Sequence, residues 1–130
     1  MNSKRRPFYF LATAALIVAA PRAKAELIQV TWDANGRYEH QLSVAPAKFA
    51  EVCDRLKPGA QVQWTFEGSA PMNFNIHYHE DKAVRFPAKE DGSTSSKGTL
   101  NVTSEQVYCW TWSNKGQADV RLKLELVKQP

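Results

Sequence analysis

Residues 61–79 read Gln-Val-Gln-Trp-Thr-Phe-Glu-Gly-Ser-Ala-Pro-Met-Asn-Phe-Asn-Ile-His-Tyr-His, and apolar and polar residues alternate on both sides of the Gly-Ser-Ala-Pro segment. Successive side chains of a β-strand point to opposite faces, so this alternation is typical of strands that bury one face. It predicts two strands whose apolar members contribute to a core. The polar face of the second strand carries Asn73, Asn75, His77 and His79.

The same period of two recurs towards both ends of the chain. Asn35-Gly36 favours a tight hairpin, so the segments on either side of it are predicted to pair. Residues 88–98 are polar and rich in turn formers, which predicts a mobile surface loop. The further predicted strands are Glu26–Trp32, Arg37–Val44, Ala83–Phe86, one marked by Leu100 and Val102, one that contains Tyr108, Trp110 and Trp112, and Val120–Leu126.

Residues 46–59 interrupt this pattern. Phe49, Val52, Cys53 and Leu56 follow the i, i+3, i+4, i+7 spacing of an amphipathic helix, and prolines stand near both ends of the segment. A short helix is therefore predicted here, with Cys53 on its apolar side. The expected fold is all-β, an antiparallel β-sandwich of about seven or eight strands with one short helix.

The first 25 residues have the three parts of a secretory signal peptide. Lys4-Arg5-Arg6 is a basic start, Phe8 to Ala20 is an apolar run, and Ala23-Lys24-Ala25 fits a cleavage site after Ala25. The apolar run is short for a bilayer, which needs about 20 residues. We therefore expect cleavage, no membrane span afterwards, and one exported domain over residues 26–130, periplasmic in a bacterium or otherwise secreted. Arg5-Arg6 leaves twin-arginine export open beside the general pathway.

The net charge of the chain belongs to this leader. The 17 basic and 13 acidic residues give +4, but five of the basic residues and none of the acidic ones lie in residues 1–25. Residues 26–130 then carry 12 basic and 13 acidic groups, a charge of −1. A nucleic-acid partner, which a basic domain would favour, is therefore not expected.

Cys53 and Cys109 are the only cysteines of the chain. Two cysteines in a small exported domain most simply form one disulfide. The alternative, thiolate ligation of a metal, is disfavoured in an oxidising compartment. We therefore expect a Cys53–Cys109 disulfide that ties the predicted helix to a strand.

A series of short motifs follows in a recognisable order: Lys57-Pro58-Gly59, Val62 to Phe66, Phe74 to Tyr78, Gly98-Thr99-Leu100, Tyr108 to Asn114 and Val120 to Leu126. Over roughly residues 57–127 this series resembles the GOLD domain, a β-sandwich of luminal cargo receptors. The resemblance implies a non-enzymatic module that recognises proteins or other ligands. In those receptors the domain is joined to a coiled coil and a membrane span, which are not recognised here, so a receptor role is not implied.

The histidines are the candidate metal ligands. His77 and His79 are two apart on a predicted strand, so their Cα atoms are roughly 7 Å apart on one face. Two imidazoles suit Zn²⁺ or Cu²⁺, and His40 is a candidate third ligand. The other reading is that histidines on a solvent face are ordinary polar residues.

Sequence signatures of enzymes are not recognised. The chain contains no Gly-x-Ser-x-Gly, no His-Glu-x-x-His, no phosphate loop and no dinucleotide fingerprint. No catalytic or cofactor-binding residues are therefore assigned. The expected function is an exported, non-enzymatic binding module for an unidentified protein or small ligand, with a periplasmic copper- or zinc-binding protein as the alternative.

Overall fold

The computed structural model describes residues 13–17 and 26–130, and its regular structure is entirely β. The predicted leader and its cleavage after Ala25 lie outside the described residues, except for residues 13–17, which form no helix or strand. Within the described part, no helix has the length and apolar character to cross a membrane. The strands are β1 (Glu26–Gln29), β2 (Arg37–Val44), β3 (Phe49–Leu56), β4 (Gln61–Glu80), β5 (Ala83–Asn101), β6 (Gln106–Ser113) and β7 (Val120–Lys128).

All seven strands belong to one sheet, in which β4 is the central member. The strand order is β1-β3-β6-β4-β7-β2, and β5 pairs with β4 along the remaining edge. The first half of β4 pairs with β7 over Val62–Gly68, and the second half pairs with β6 over Asn73–His77. The pairing of β1 with β3 is parallel and the others are antiparallel, so the sheet is mixed.

The sheet curls into a half-barrel because its two outermost strands are consecutive in the chain. β1 and β2 stand at opposite ends of the strand order, yet only residues 30–36 join them. The ends of the sheet therefore have to approach each other. The predicted hairpin across Asn35-Gly36 is wrong, because β1 pairs with β3 and β2 pairs with β7. The predicted purely antiparallel sandwich is likewise replaced by one curled, mixed sheet.

Aromatic side chains fill the space inside the curl. Trp112 on β6 lies 5.4 Å from Phe74 and 5.6 Å from Phe66, ring centroid to ring centroid, so both halves of β4 contact the same indole. Trp64 packs on Phe74 at 4.9 Å. The alternation of residues 61–79 thus marks the core face correctly. The largest fully buried side chains are those of Trp110, Trp112, Tyr108, Phe66, Phe74, Met72 and Ile76.

The predicted helix at residues 46–59 is wrong, since residues 49–56 form strand β3. Ala50, Val52 and Leu56 are buried on the core side of this strand. Its alternation is obscured because Asp54 occupies the remaining core-side position, where it accepts hydrogen bonds from Trp32 Nε1 at 2.6 Å and Gln29 Nε2 at 3.0 Å. Asp54 interrupts the apolar series on the core side, and Cys53 adds an apolar residue on the opposite face. The apolar residues of β3 therefore fall at the spacing of an amphipathic helix.

The predicted mobile loop at residues 88–98 is also wrong, because the segment is the middle of the 19-residue strand β5. Its backbone pairs with β4 along most of its length, from Glu80↔Ala83 to Gln61↔Asn101. β5 has no partner on its outer edge among the strands at 26–130, so most of its side chains are exposed. A polar composition is compatible with such an edge strand, which does not need an alternating pattern.

The expected disulfide between Cys53 and Cys109 is confirmed. The two residues are register partners on the neighbouring antiparallel strands β3 and β6. The bond therefore joins two strands, rather than a helix and a strand, across 56 residues of sequence.

Candidate functional site

The histidine pair lies on the outer face of the half-barrel that contains β3, β6, the second half of β4, and β5. Residues that are directly paired across strands share a face. We call this surface the His77 face. Its rows are Glu51–Thr111–Asn75–Lys89, then Cys53–Cys109–His77, then His79–Val84.

His77 is held by polar neighbours from three strands. Its Nδ1 lies 2.8 Å from Asn75 Oδ1 and 3.4 Å from Thr111 Oγ1. Its Nε2 lies 3.6 Å from Glu51 Oε1, and the Thr111 hydroxyl donates to that oxygen at 3.4 Å. With a proton on Nδ1, the imidazole donates to Asn75, and the Thr111 hydroxyl is free to donate to Glu51.

The burial of His77 sets its protonation. The residue is only 8% exposed. Burial lowers its pKa below the ordinary value of 6.5, Glu51 opposes this shift, and the positive charge of His79 adds to it. Burial is the largest of the three effects, so the lowered pKa favours the neutral imidazole at neutral pH. His77 therefore contributes a neutral, hydrogen-bonded ring to the face.

His79 and Phe86 flank this imidazole. The His77 and His79 ring centroids are 5.4 Å apart with nearly perpendicular planes, and the Phe86 centroid lies 6.1 Å from that of His77. The Nζ atom of Lys89 lies 5.5 Å from the Phe86 centroid. The sequence thus correctly places both histidines on one face, and the structure adds an aromatic ring and an ammonium group.

A β-bulge positions Phe86. Ile76 pairs with Ala88 and Tyr78 pairs with Arg85, so Phe86 and Pro87 together lie opposite the single residue His77. Such an extra residue bends its strand locally and redirects a side chain, and bulges are frequent next to functional sites. Phe86 was not identified from the sequence as a site residue, because no pattern in the chain reveals that two residues will oppose one.

The exposed large apolar residues of the domain concentrate in this half. Phe86 is 51% exposed, Val84 43%, Val107 42% and Leu27 69%. Val107 precedes Cys109 by two residues on the same strand, and Leu27 pairs with Glu51, so both border the same surface. Across residues 26–130 the other half of the half-barrel exposes no large apolar side chain. The His77 face is therefore the apolar surface of this domain.

The predicted third metal ligand, His40, lies elsewhere. It pairs with Leu124, which pairs with Phe66, and both of these are core residues. His40 thus lies on the inner side of edge strand β2, stacked at 5.9 Å on Tyr38, whereas His77 and His79 are on an outer face. Within residues 13–17 and 26–130, no three His, Cys, Asp or Glu side chains are grouped to hold a metal. Of the three predicted metal ligands, only His77 and His79 lie close to each other.

The outer face of the other half is polar and carries an open groove. A cavity of about 490 Å³ lies where β4 bends away from β7 after Gly68. Arg121 and Lys123 line it with Glu67, and the Arg121 amide donates to Ser69 Oγ at 2.9 Å. Trp32 is partly buried, with Lys128 Nζ 4.8 Å from its ring centroid.

Three solved structures resemble this one over nearly their whole length. Aeromonas hydrophila PliG, a periplasmic inhibitor of g-type lysozyme, has a TM-score of 0.67 at 15% identity, over 82% of this chain and 99% of its own. Salmonella Typhimurium PliG, with the same description, has a TM-score of 0.56 at 6% identity, over 80% and 99%. The pre-peptidase C-terminal domain of Bacillus anthracis collagenase has 0.52 at 11%, over 82% and 99%.

No family model and no curated protein sequence matches the chain. The GOLD-domain fold inferred from the sequence is wrong, because the solved structures that resemble this one are PliG inhibitors and a pre-peptidase domain. The residues that carried it, such as Trp64, Phe74 and Trp110, are core positions, and many all-β folds place apolar residues with that period. At identities of 6–15%, these likenesses show that the chain has the fold of the PliG and pre-peptidase domains.

Proposed function

We propose that this chain is an exported, non-enzymatic protein-binding module that inhibits a g-type lysozyme. The observation that carries the proposal is the extent of the fold match with the Aeromonas hydrophila inhibitor, which covers 99% of that chain at a TM-score of 0.67. The Salmonella Typhimurium inhibitor supports it with a match over 99% of its length. Both inhibitors support the function through a fold that this chain shares with them.

The leader supports the same compartment. Residues 1–25 have the composition of an export signal, and the PliG proteins of similar structure are periplasmic. In this proposal residues 26–130 form the mature domain, and the Cys53–Cys109 disulfide suits an oxidising compartment. Either export route delivers the protein to the place where a lysozyme acting on the cell wall would meet it.

The His77 face supports a binding role. Exposed apolar patches on small soluble domains mark interaction surfaces more often than the scattered apolar residues of an ordinary surface. Phe86 and Val84 on β5 are exposed beside the two imidazoles, and Val107 is exposed on β6, two residues before Cys109. These side chains offer apolar contact area with the charged Lys89 next to it, as in an interface with an apolar centre and a polar rim.

The test is lysis of a bacterial cell-wall suspension by a g-type lysozyme, followed by turbidity, with and without the purified protein. Inhibition that saturates at equimolar protein is expected. A lysozyme of another type serves as the control for specificity. Unchanged lysis with the inhibitor in large excess would exclude this function, whatever the protein binds instead.

Metal binding by His77 and His79 is the second candidate. The observation in its favour is that the two rings are on one face with centroids 5.4 Å apart. Imidazole pairs suit Cu²⁺ and Zn²⁺, but a site of two ligands binds either ion weakly.

A further inference from the structure

We propose that the part of the His77 face formed by His79, Val84, Phe86 and Lys89 docks an acidic surface of a partner protein, with Phe86 as its apolar anchor. This inference deepens the proposed function, since it rests on the protein being a binding module. The occupant is defined by its chemistry: carboxylates that meet Lys89 and His79, and an apolar side chain that covers Phe86.

The bulge at Phe86 and Pro87 presents the apolar anchor. Without the extra residue, β5 would continue the regular pairing seen at His79↔Val84. Instead, the Phe86 ring lies 6.1 Å from the buried His77 imidazole, centroid to centroid, with half of its surface exposed. Aromatic residues that are fixed by a rigid strand and still exposed are the usual anchors of protein interfaces.

The polar groups around Phe86 favour an acidic partner surface. The Nζ atom of Lys89 lies near the Phe86 ring, and neither Lys89 nor His79 forms an ion pair with any group in residues 26–130. Glu51, the acidic member of the rows that define this face, lies 3.6 Å from His77 Nε2 and accepts from the Thr111 hydroxyl. An apolar ring beside the unpaired Lys89 ammonium and the His79 imidazole, which can donate an N–H, complements an acidic, partly apolar surface.

The backbone of β5 near Phe86 is unsuited to pairing with a strand of the partner. β5 is an edge strand, and a partner strand would need its backbone N–H groups. Pro87 has no N–H, and the bulge interrupts the ladder at the same point. Recognition at Phe86 therefore uses side chains rather than the addition of a strand. A glycoside hydrolase carries paired carboxylates at its cleft, so a lysozyme is a suitable source of such a surface.

The experiment has two arms that separate this inference from the proposed function. In the first, the ¹⁵N-labelled protein is titrated with the synthetic peptide acetyl-Asp-Glu-Trp-Asp-Glu-amide, and amide chemical shifts are followed. The largest shifts are expected at His79, Val84 and Lys89. In the second, lysozyme inhibition is compared between the parent, Phe86→Ser/Lys89→Glu, and the control Lys97→Glu. Lys97 is an exposed lysine on the same strand, paired with Thr65 in the other half.

The double variant is expected to inhibit about tenfold less strongly, while the control stays close to the parent. Thermal unfolding checks that both variants are folded. We expect the double variant to fold because Phe86 is half exposed. If the double variant still inhibits the lysozyme, or if the peptide shifts amides elsewhere in the protein, this inference is wrong while the proposed function stands. If the peptide shifts the amides of His79, Val84 and Lys89 but the parent does not inhibit the lysozyme, the docking surface is supported and the proposed function is wrong.

Discussion

The indole of Trp64 covers Gly98 on the neighbouring strand so closely that a Cβ atom added at Gly98 would lie 2.5 Å from Trp64 Cζ2. The two residues are register partners in the long β4–β5 ladder. Glycine is needed here for close approach rather than for an unusual backbone angle. The contact secures the edge strand β5 at one point, because a large ring on β4 occupies the space above a residue without a side chain.

Gly98→Ala is therefore expected to lower the free energy of unfolding by about 1–3 kcal/mol, the usual cost of overpacking a buried contact. Urea denaturation followed by tryptophan fluorescence measures it. In a Trp64→Leu background the same substitution should cost much less, since the atoms that the methyl group meets are gone. Equal costs in the two backgrounds would show that Trp64 is not the reason for the glycine.

Asn114→Ala is expected to destabilise the connection from β6 to β7 by about 3 kcal/mol, since it removes three hydrogen bonds to the backbone, one of them to the buried carbonyl of Val44. The fully buried Asn114 side chain donates to the carbonyls of Val44 and Ala118, both at 2.8 Å, and accepts from the Gly116 amide at 2.9 Å. Asn114→Asp retains the acceptor and loses both donations, so it should not restore stability. A thermal midpoint equal to that of the parent in either variant would contradict this account.

The stability of the protein should depend on pH through His77. Burial lowers the pKa of His77 below 6.5, so between its folded pKa and 6.5 the unfolded chain binds more protons. The contribution of His77 to stability is complete above that range and is lost as the pH falls through it. His77→Gln should remove this part of the slope, measured by urea denaturation in EDTA across the range. If the free energies of unfolding of the parent and the variant differ by the same amount at every pH, His77 does not cause the pH dependence.

Loss of the disulfide should destabilise the protein by on the order of 4 kcal/mol in the chain-entropy model, because it closes a loop of 56 residues. Cys53→Ala/Cys109→Ala, compared with the oxidised parent in urea, measures this directly. The reduced parent should resemble the double variant. If reduction leaves the denaturation midpoint unchanged, the disulfide contributes no net stability.

Metal binding, if it occurs at the histidine pair, should depend on His79 and not on His40. Calorimetric titration with Cu²⁺ and with Zn²⁺ is expected to show weak binding in the parent, loss in His79→Ala and no change in His40→Ala, because His40 faces the inner side of another strand. Equal binding in the parent and in His79→Ala would remove the pair as a metal site.

The sequence predicts well the strands that bury one face. Val62, Trp64 and Phe66 on β4, and Tyr108 and Trp110 on β6, alternate with polar or outward-facing residues, and all five are buried. Burial of one face imposes the period of two on the choice of residues, so the pattern can be read locally. The adjacency of His77 and His79 on one face follows from the same rule.

The sequence does not reveal the strands whose alternation is disturbed or absent. In β3, Asp54 lies at a core-side position because Trp32 and Gln29, distant in sequence, supply its hydrogen bonds. β5 is an exposed edge strand with no burial pattern to read. The inference of a GOLD domain is wrong for a related reason, because many all-β folds share the same spacing of core residues.

The sequence by itself thus determined an all-β domain, the disulfide pairing and the face that carries His77 and His79. Only the tertiary structure decided which strands are neighbours, that β1 pairs in parallel with β3, and that a bulge brings Phe86 to the histidines. The physical reason is that burial acts on each residue and leaves a local pattern. Strand order, curl and register depend instead on backbone pairing between segments far apart in the chain, which no local pattern records.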